Sequence, residues 1–309
     1  MTYKLERLGV VMERDESDPR EAWGVLNPAS ARGPDGELYL FPRLVAQGNY
    51  SRIGRARVLF AGGRPTGVER LGIALEPEES WESRGVEDPR ITFLSALGLW
   101  VMAYTAYGPL GPRVAVATST DLGTWDRLGL ATFDGELDGF DNKDAAYFPE
   151  AVPTPAGGMA YALLHRPANE ERPGIWVSFA ADPGELVRLT THRYVAGPEQ
   201  PWEALKIGAG TPPVRTAEGW FLLHHGVSGR IDHGVDHQPG VRYCAGAMVL
   251  DAESVWSVVW RTTEPLLAPE TLDEREGIVG NVVFPTAIDG ADVYYGMADA
   301  RIGAARLSS

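Results

Sequence analysis

The feature that most constrains this chain is its periodicity, which is two almost throughout. Glu37–Phe41, Trp100–Tyr104, Val114–Ala117, Ala160–Leu164, Ile175–Phe179, Trp220–His224 and Asp292–Tyr295 are short, β-branched or aromatic runs bounded by Gly, Pro or Asp. No amphipathic stretch of helical period is long enough for a substantial helix. Short helical turns are predicted near Trp202–Leu205 and Leu272–Glu276. The chain is therefore read as all-β.

A coarse repeat sharpens that reading. A Pro-containing start, a Gly-led strand, a second strand and an Asp-rich turn recur from Asn27-Pro28, Asp88-Pro89-Arg90, Phe148-Pro149-Glu150, Thr211-Pro212-Pro213 and Phe284-Pro285, about 60 residues apart. Such a period with several strands per unit predicts a propeller. Five units fill residues 1–309 as one domain, and Leu8–Met12 is left to complete the last blade and close the ring. A β-sandwich with coincidental turn spacing is the alternative.

Charge removes other options. The net charge is −14, from 42 Asp+Glu against 28 Lys+Arg, and phosphate-backbone binding is built from clustered cations. Nucleic acid and anionic membranes are thus not expected partners. A hydrophobic content of 44% is enough for a core, so disorder is excluded too. Cys244 is the single cysteine, which rules out an internal disulfide and a thiolate metal cluster. The charged N-terminus lacks a secretory apolar stretch and no run is long enough to span a bilayer, so a cytoplasmic protein is expected.

In a propeller, loops from every blade meet at the axis, so polar residues at the unit starts are the ones to weigh. Glu87-Asp88-Pro89-Arg90 reads equally as a surface turn or as a paired, buried cluster. Asn142-Lys143-Asp144 reads as a solvated turn on composition alone, and Arg166 as an ion pair between blades. Lys206-Ile207-Gly208-Ala209-Gly210 is a glycine-rich loop but not a P-loop, because the lysine comes first. His224, His225, His233 and His237 invite a metal reading. Neighbours on a strand face opposite ways, however, so His224 and His225 cannot both point inward. No metal is expected, and His225 alone is the functional candidate. Hydrolase elbow, zincin and dinucleotide motifs are missing from the sequence.

Taken in order, these stretches resemble glycoside hydrolase family 130, the five-bladed β-mannoside phosphorylases. The likeness rests on Asn27-Pro28, Phe41-Pro42-Arg43, Glu87-Asp88-Pro89-Arg90, Asn142-Lys143-Asp144, His165-Arg166-Pro167, Lys206–Pro213, His225-Gly226, Tyr243-Cys244-Ala245-Gly246, Asn281–Pro285 and Tyr294–Asp299. It implies that Asp88 is the single catalytic acid, protonating the mannosyl 3-hydroxyl, which relays a proton to the glycosidic oxygen. It implies that Asn27, Arg43, Lys206 and Asp299 contact the mannosyl unit. Arg166, His225, Tyr243, Asn142 and Lys143 would hold phosphate, which attacks with inversion to give α-mannose 1-phosphate. No cofactor is implied beyond inorganic phosphate as co-substrate. The chemistry is coherent: a glycosidase using water needs an acid and a base, whereas phosphate arrives nucleophilic and needs a cationic cradle.

Two departures keep an inverting β-mannosidase as the alternative. Asp141 stands where a second phosphate arginine is expected in some members, and His224 stands where tyrosine is frequent. Asp141, Glu150 and Glu203 are the candidate bases for a water-using enzyme. A non-catalytic carbohydrate-binding propeller with aromatics Trp81, Tyr107 and Trp202 at its mouth is the third reading. Linkage (β-1,2 or β-1,4), acceptor sugar and oligomeric state, a homo-oligomer included, are not fixed by the sequence.

Overall fold

The computed structural model describes residues 2–182, 184–231, 238 and 240–309. It is all-β, with one four-residue α-helix, Leu272–Arg275, and short 3₁₀ turns that include Pro201–Glu203. The strands form five antiparallel meanders in chain order. The first is Gly24–Arg32, Leu38–Val45, Ser51–Ala61 and Arg64–Leu75; the second is Gly85–Leu94, Leu99–Gly108, Gly111–Ser119 and Asp126–Leu130. A single parallel bridge from Ser51 to Gly85 joins these two. The third is Asn142–Tyr147, Ala162–Pro167, Ile175–Ala180 and Arg188–Ala196; the fourth is Lys206–Ala209, Gly219–Gly229, Val241–Leu250 and Val258–Arg261. In the fifth, Val283–Asp289, Asp292–Met297 and Arg301–Ser308 are completed by Lys4–Met12, which pairs antiparallel with the C-terminal strand. The N-terminal segment does join the last unit as predicted.

The core is not in one place; it fills the gaps between successive meanders. Phe41, Val86, Met102 and Tyr104 pack the first against the second, and Val101, Val116, Tyr147 and Leu163 the second against the third. Phe148, Val177, Ile207 and Leu222 pack the third against the fourth. Ala245, Val283 and Tyr295 join fourth to fifth, and Val25, Leu40, Tyr294 and Ile302 join fifth to first. Apolar residues of both faces are used, which is why the runs alternate so weakly in places.

Polar latches tie the outermost strand of four meanders to the turn before the first strand. Glu21, Glu82, Glu203 and Glu274 are each the third residue of the short helical turns that precede the first strands, and all are at most 2% exposed. Each accepts from a backbone N–H a few residues upstream and pairs with an arginine of the outermost strand: Arg70 (2.8 Å), Arg127 (3.1 Å), Arg261 (2.7 Å) and Arg7 (2.8 Å). A residue of the second strand joins three of them, Tyr104, His224 and Tyr295. The third meander has Leu137 in place of the glutamate and His192 on its outermost strand.

Candidate active site

Three inner strands carry the same irregularity. The pairing register slips between Leu26 and Ala29, between Glu87 and Arg90, and between Lys143 and Ala146. In each case two residues oppose one, the definition of a bulge, which bends the strand and re-aims its side chains. The first residue of each bulge sits in left-handed backbone: Asn27 (φ 43°), Asp88 (φ 47°) and Asp144 (φ 57°). Asn and Asp tolerate that region best among residues with a Cβ. Asp299, in the turn before the last strand, adopts it too (φ 51°). The repeat read in the sequence thus has a structural meaning, but its landmarks lie within or just after the inner strands, not ahead of them. Glu87-Asp88 is inside a strand, and Asn142-Lys143-Asp144 is no solvated turn: Asn142 and Asp144 are 2% and 3% exposed.

These residues gather in two adjoining groups. In the first, Asn27 Nδ2 donates to Asp88 Oδ1 at 3.0 Å, and Arg43 Nη1 donates to the same oxygen at 3.2 Å. Arg43 also donates to Glu87 Oε1 (3.0 Å), Asn49 Oδ1 (3.0 Å) and Ser51 Oγ (2.8 Å). Burial pushes the Asp299 carboxyl up to about 6; the field of Arg43 opposes that and those of Asp88 and Glu87 add to it, which sets Asp299 among this group.

In the second group, Arg166 Nε donates to Asp144 Oδ2 at 2.6 Å, and His225 Nε2 lies 3.7 Å from the same oxygen. Burial pushes Asp144 up, but Arg166, His225 and Arg90 together hold it below the ordinary carboxylate range. Burial drives His225 well below the ordinary histidine value, so its imidazole is neutral, and its Nδ1 has no hydrogen-bond partner. His225 also rests edge-on against Phe284 (4.4 Å) and stacks toward Tyr243 (6.1 Å). Lys206 Nζ lies 5.6 Å over the Tyr243 ring. Its ammonium is lowered to about 8, first by burial and then by repulsion from Arg166 and Lys143. Burial raises the Tyr243 phenol. Gly208 is required here: a Cβ would stand 2.4 Å from His225 Cε1 and 2.5 Å from Asp144 Oδ2.

Arg90 bridges the groups. It is 1% exposed, donating from Nη1 to the Asp88 carbonyl (2.8 Å) and from Nε to the Gly210 carbonyl (2.8 Å), with Nη2 3.9 Å from Asp144 Oδ1. It fixes the turn that aims Asp88 relative to the Asp144 group.

The structure therefore brings together nine of the predicted residues, Asn27, Arg43, Asp88, Lys143, Arg166, Lys206, His225, Tyr243 and Asp299. Asn142 is placed differently. Its amide lies against His165 Nδ1, on the strand face opposite Lys143 and Arg166. Arg90, Asp144 and Glu87 were passed over as site residues, though all stood in the quoted motifs. The signal that finds Arg90 and Asp144 is the repeat itself, which puts Asp144 in register with Asp88. His224 and His225 do part, His224 turning to Glu203 at 2.9 Å. It fills the place of Tyr104 and Tyr295 in the other latches, which accounts for tyrosine being an ordinary occupant. His233 and His237 lie outside the described residues. Among the described residues no group of three His, Cys, Asp or Glu is arranged to hold a metal. The proposed bases are engaged or remote: Asp141 pairs with Arg113 at 2.5 Å, Glu203 is locked in its latch, and Glu150 is exposed. Trp202 is buried against His224 and is no exposed sugar platform.

Comparison with known proteins places this all-β chain in the class of carbohydrate-active enzymes. More particularly, the chain belongs to glycoside hydrolase family 130 and is an enzyme of the mannoside phosphorylase kind. The family profile, described as beta-1,4-mannooligosaccharide phosphorylase, matches residues 5–309. A 1,2-β-oligomannan phosphorylase from Thermoanaerobacter sp. is 33% identical over 98% of this chain and 97% of its own length. A β-1,4-mannooligosaccharide phosphorylase from Ruminococcus albus is 32% identical over 69% of this chain and 59% of its own. The β-1,2-mannobiose phosphorylase of Listeria innocua, solved with β-1,2-mannobiose, has the same fold: TM-score 0.75, 22% identity, covering 99% of this chain and 96% of that one. No helix among the described residues is long and apolar enough to cross a membrane.

Proposed function

We propose that this protein is an inverting β-mannoside phosphorylase, acting on manno-oligosaccharides or on mannose linked to glucose or N-acetylglucosamine. We infer further that its five meanders are the blades of one closed propeller, closed by the N-terminal strand. The core between fifth and first meanders supports the closure.

The observation that carries the function is the cation crowding around Asp144. Arg166, Arg90 and His225 surround Asp144, and Lys206 beside them sheds its proton more easily, first through burial and then through repulsion from Arg166 and Lys143. Arg166, Lys206, Lys143, the unpartnered Nδ1 of His225 and the Tyr243 hydroxyl form the anion cradle, and Asn142, on the opposite strand face, is left out of it. Asn27, Arg43 and Asp299 hold the mannosyl unit beside Asp88. Both hydrogen bonds to Asp88 arrive at Oδ1, so Oδ2 is the oxygen that carries the proton. A phosphate oxygen bonds to C1 as the C1–O glycosidic bond breaks. The leaving oxygen takes the proton of the mannosyl 3-hydroxyl, which is replaced from Asp88. Phosphate is the co-substrate, and no other cofactor enters the reaction.

The test is incubation with β-1,2- and β-1,4-mannobiose, with and without phosphate, followed by NMR of the products. Cleavage only with phosphate, giving α-mannose 1-phosphate, is expected. Equal cleavage in both tubes to free mannose would sink the proposal in favour of a β-mannosidase.

A further inference from the structure

Arg90 is a long side chain where the equivalent bulges carry only a methyl group. Regular pairing resumes at Ala29, Arg90 and Ala146 after the three slips of the inner strands. The repeat thus places one guanidinium where its other copies hold alanine, and that guanidinium reaches four of the five meanders. It donates from Nη1 to the Asp88 carbonyl in its own strand (2.8 Å) and from Nε to the Gly210 carbonyl of the fourth meander (2.8 Å). Nη2 stands 3.9 Å from Asp144 Oδ1 in the third, and Cζ lies 5.6 Å from the Phe284 ring centroid in the fifth. The Arg90 side chain is 0% exposed, so it has no surface with which to touch a substrate.

Its bonded contacts act on the acid. Asp88 has left-handed backbone (φ 47°), which a residue with a Cβ keeps only where its surroundings fix it. The fork of Arg90 ties that residue's carbonyl to the fourth meander. Its charge acts on the other group. A guanidinium stays protonated when buried, so Arg90 and Arg166 set two positive charges against the single carboxylate of Asp144. Arg166 bonds Oδ2 at 2.6 Å while Arg90 faces Oδ1. Were residue 90 neutral, Asp144 and Arg166 would cancel; with arginine the trio keeps one positive charge. The field of Arg90 is among those that hold Asp144 low and keep His225 neutral.

We propose that Arg90 is a positioning residue with two separable tasks: its fork holds the bulge that aims Asp88, and its charge gives the trio with Asp144 and Arg166 the surplus that draws phosphate. This rests on the proposed reading of phosphate as the attacking group. One buried side chain then serves both halves of the reaction without contacting either substrate.

The experiment measures kcat and both KM values, for phosphate and for mannobiose, in Arg90→Lys, in Arg90→Gln and in Arg90→Gln combined with Asp144→Asn. Lysine keeps the charge but not the planar fork. Its kcat should fall on the order of a hundredfold, the cost of an acid misplaced by about 1 Å, with phosphate KM within about threefold of wild type. Arg90→Gln cancels the surplus, so phosphate KM should rise about tenfold, as for one unit charge lost at several ångströms in a buried site, with kcat lowered too. Adding Asp144→Asn restores the surplus, since Arg166 alone then carries it. Phosphate KM should return to within about threefold of wild type while kcat stays low. A merely structural role predicts the reverse, a second buried change adding to the first. Equal phosphate KM in the lysine and glutamine variants overturns the charge task, as does a double variant that binds phosphate no better than Arg90→Gln. An unchanged kcat in Arg90→Lys overturns the fork task. Should the glutamine variants not fold, Arg90→Met, alone and with Asp144→Asn, makes the same comparison. Wild-type cleavage that ignores phosphate would instead defeat the proposed function.

Discussion

Asp88 and Asp144 occupy the same place in successive inner strands. Both begin a two-against-one bulge and both have left-handed backbone, with φ 47° and 57°. Their surroundings are nevertheless opposite. Asp88 receives Asn27 and Arg43 at one oxygen and keeps 13% of its side chain exposed. The Asp144 side chain is only 2% exposed, bonded by Arg166 and approached by Arg90 and His225. The repeat delivers the same carboxylate twice. The neighbouring strands leave one partly exposed and surround the other with Arg90, Arg166 and His225.

That contrast can be broken most severely at Asp88. Asp88→Asn should lower kcat about a thousandfold, within the range for general acids, with little change in phosphate KM; steady-state kinetics in both substrates check it. Next is Arg166→Met, which leaves Asp144 buried with one partner fewer. Phosphate kcat/KM should fall on the order of a hundredfold, since losing one member of a buried pair costs about 3–5 kcal/mol. Calorimetric unfolding should show a lowered Tm, and mannoside KM should move far less. Gly208→Ala sharpens the comparison without touching a charge: its Cβ forces His225 away from Asp144, and phosphate KM should rise about tenfold while Asp88 chemistry is spared.

The smallest effects are limbs of the pH profile. Lys206 is a cation below about 8, so phosphate affinity should weaken severalfold as pH rises through that value, and Lys206→Met should remove this limb. Asp299 is ionised above about 6, so acceptance of mannosyl hydroxyls should be lost as pH falls through it. Asp299→Asn should flatten that limb in mannoside kcat/KM. The sign for stability is the reverse: because the folded value is raised, Asp299 favours the fold when protonated and costs stability as pH rises past 6.

Much of this was legible before any coordinates. The strands at Trp100–Tyr104, Ile175–Phe179 and Trp220–His224 are inside observed ones, and the opposed directions of His224 and His225 follow from period two alone. The resemblance located nine residues that the structure brings together. The bulges were not legible, because an extra residue in a strand leaves no trace in hydrophobic alternation. For that reason Asn142-Lys143-Asp144 reads as a turn yet is buried strand, and Asn142 and Asp144 leave on different faces although they are two residues apart. The four buried glutamates were likewise missed, since a short Trp-Glu or Asp-Glu turn looks solvated until an arginine from the outermost strand reaches it.

By itself, the sequence determined the all-β class, the joining of the first strand to the last and which charged side chains exist to be gathered. Those follow from local periodicity and from which side chains exist. Tertiary structure decided which carboxylate is free and which is spent, because that depends on Arg43, Arg90 and Arg166 arriving from strands up to tens of residues away. The range of electrostatics in a buried site is a few ångströms of space, and sequence separation does not measure it.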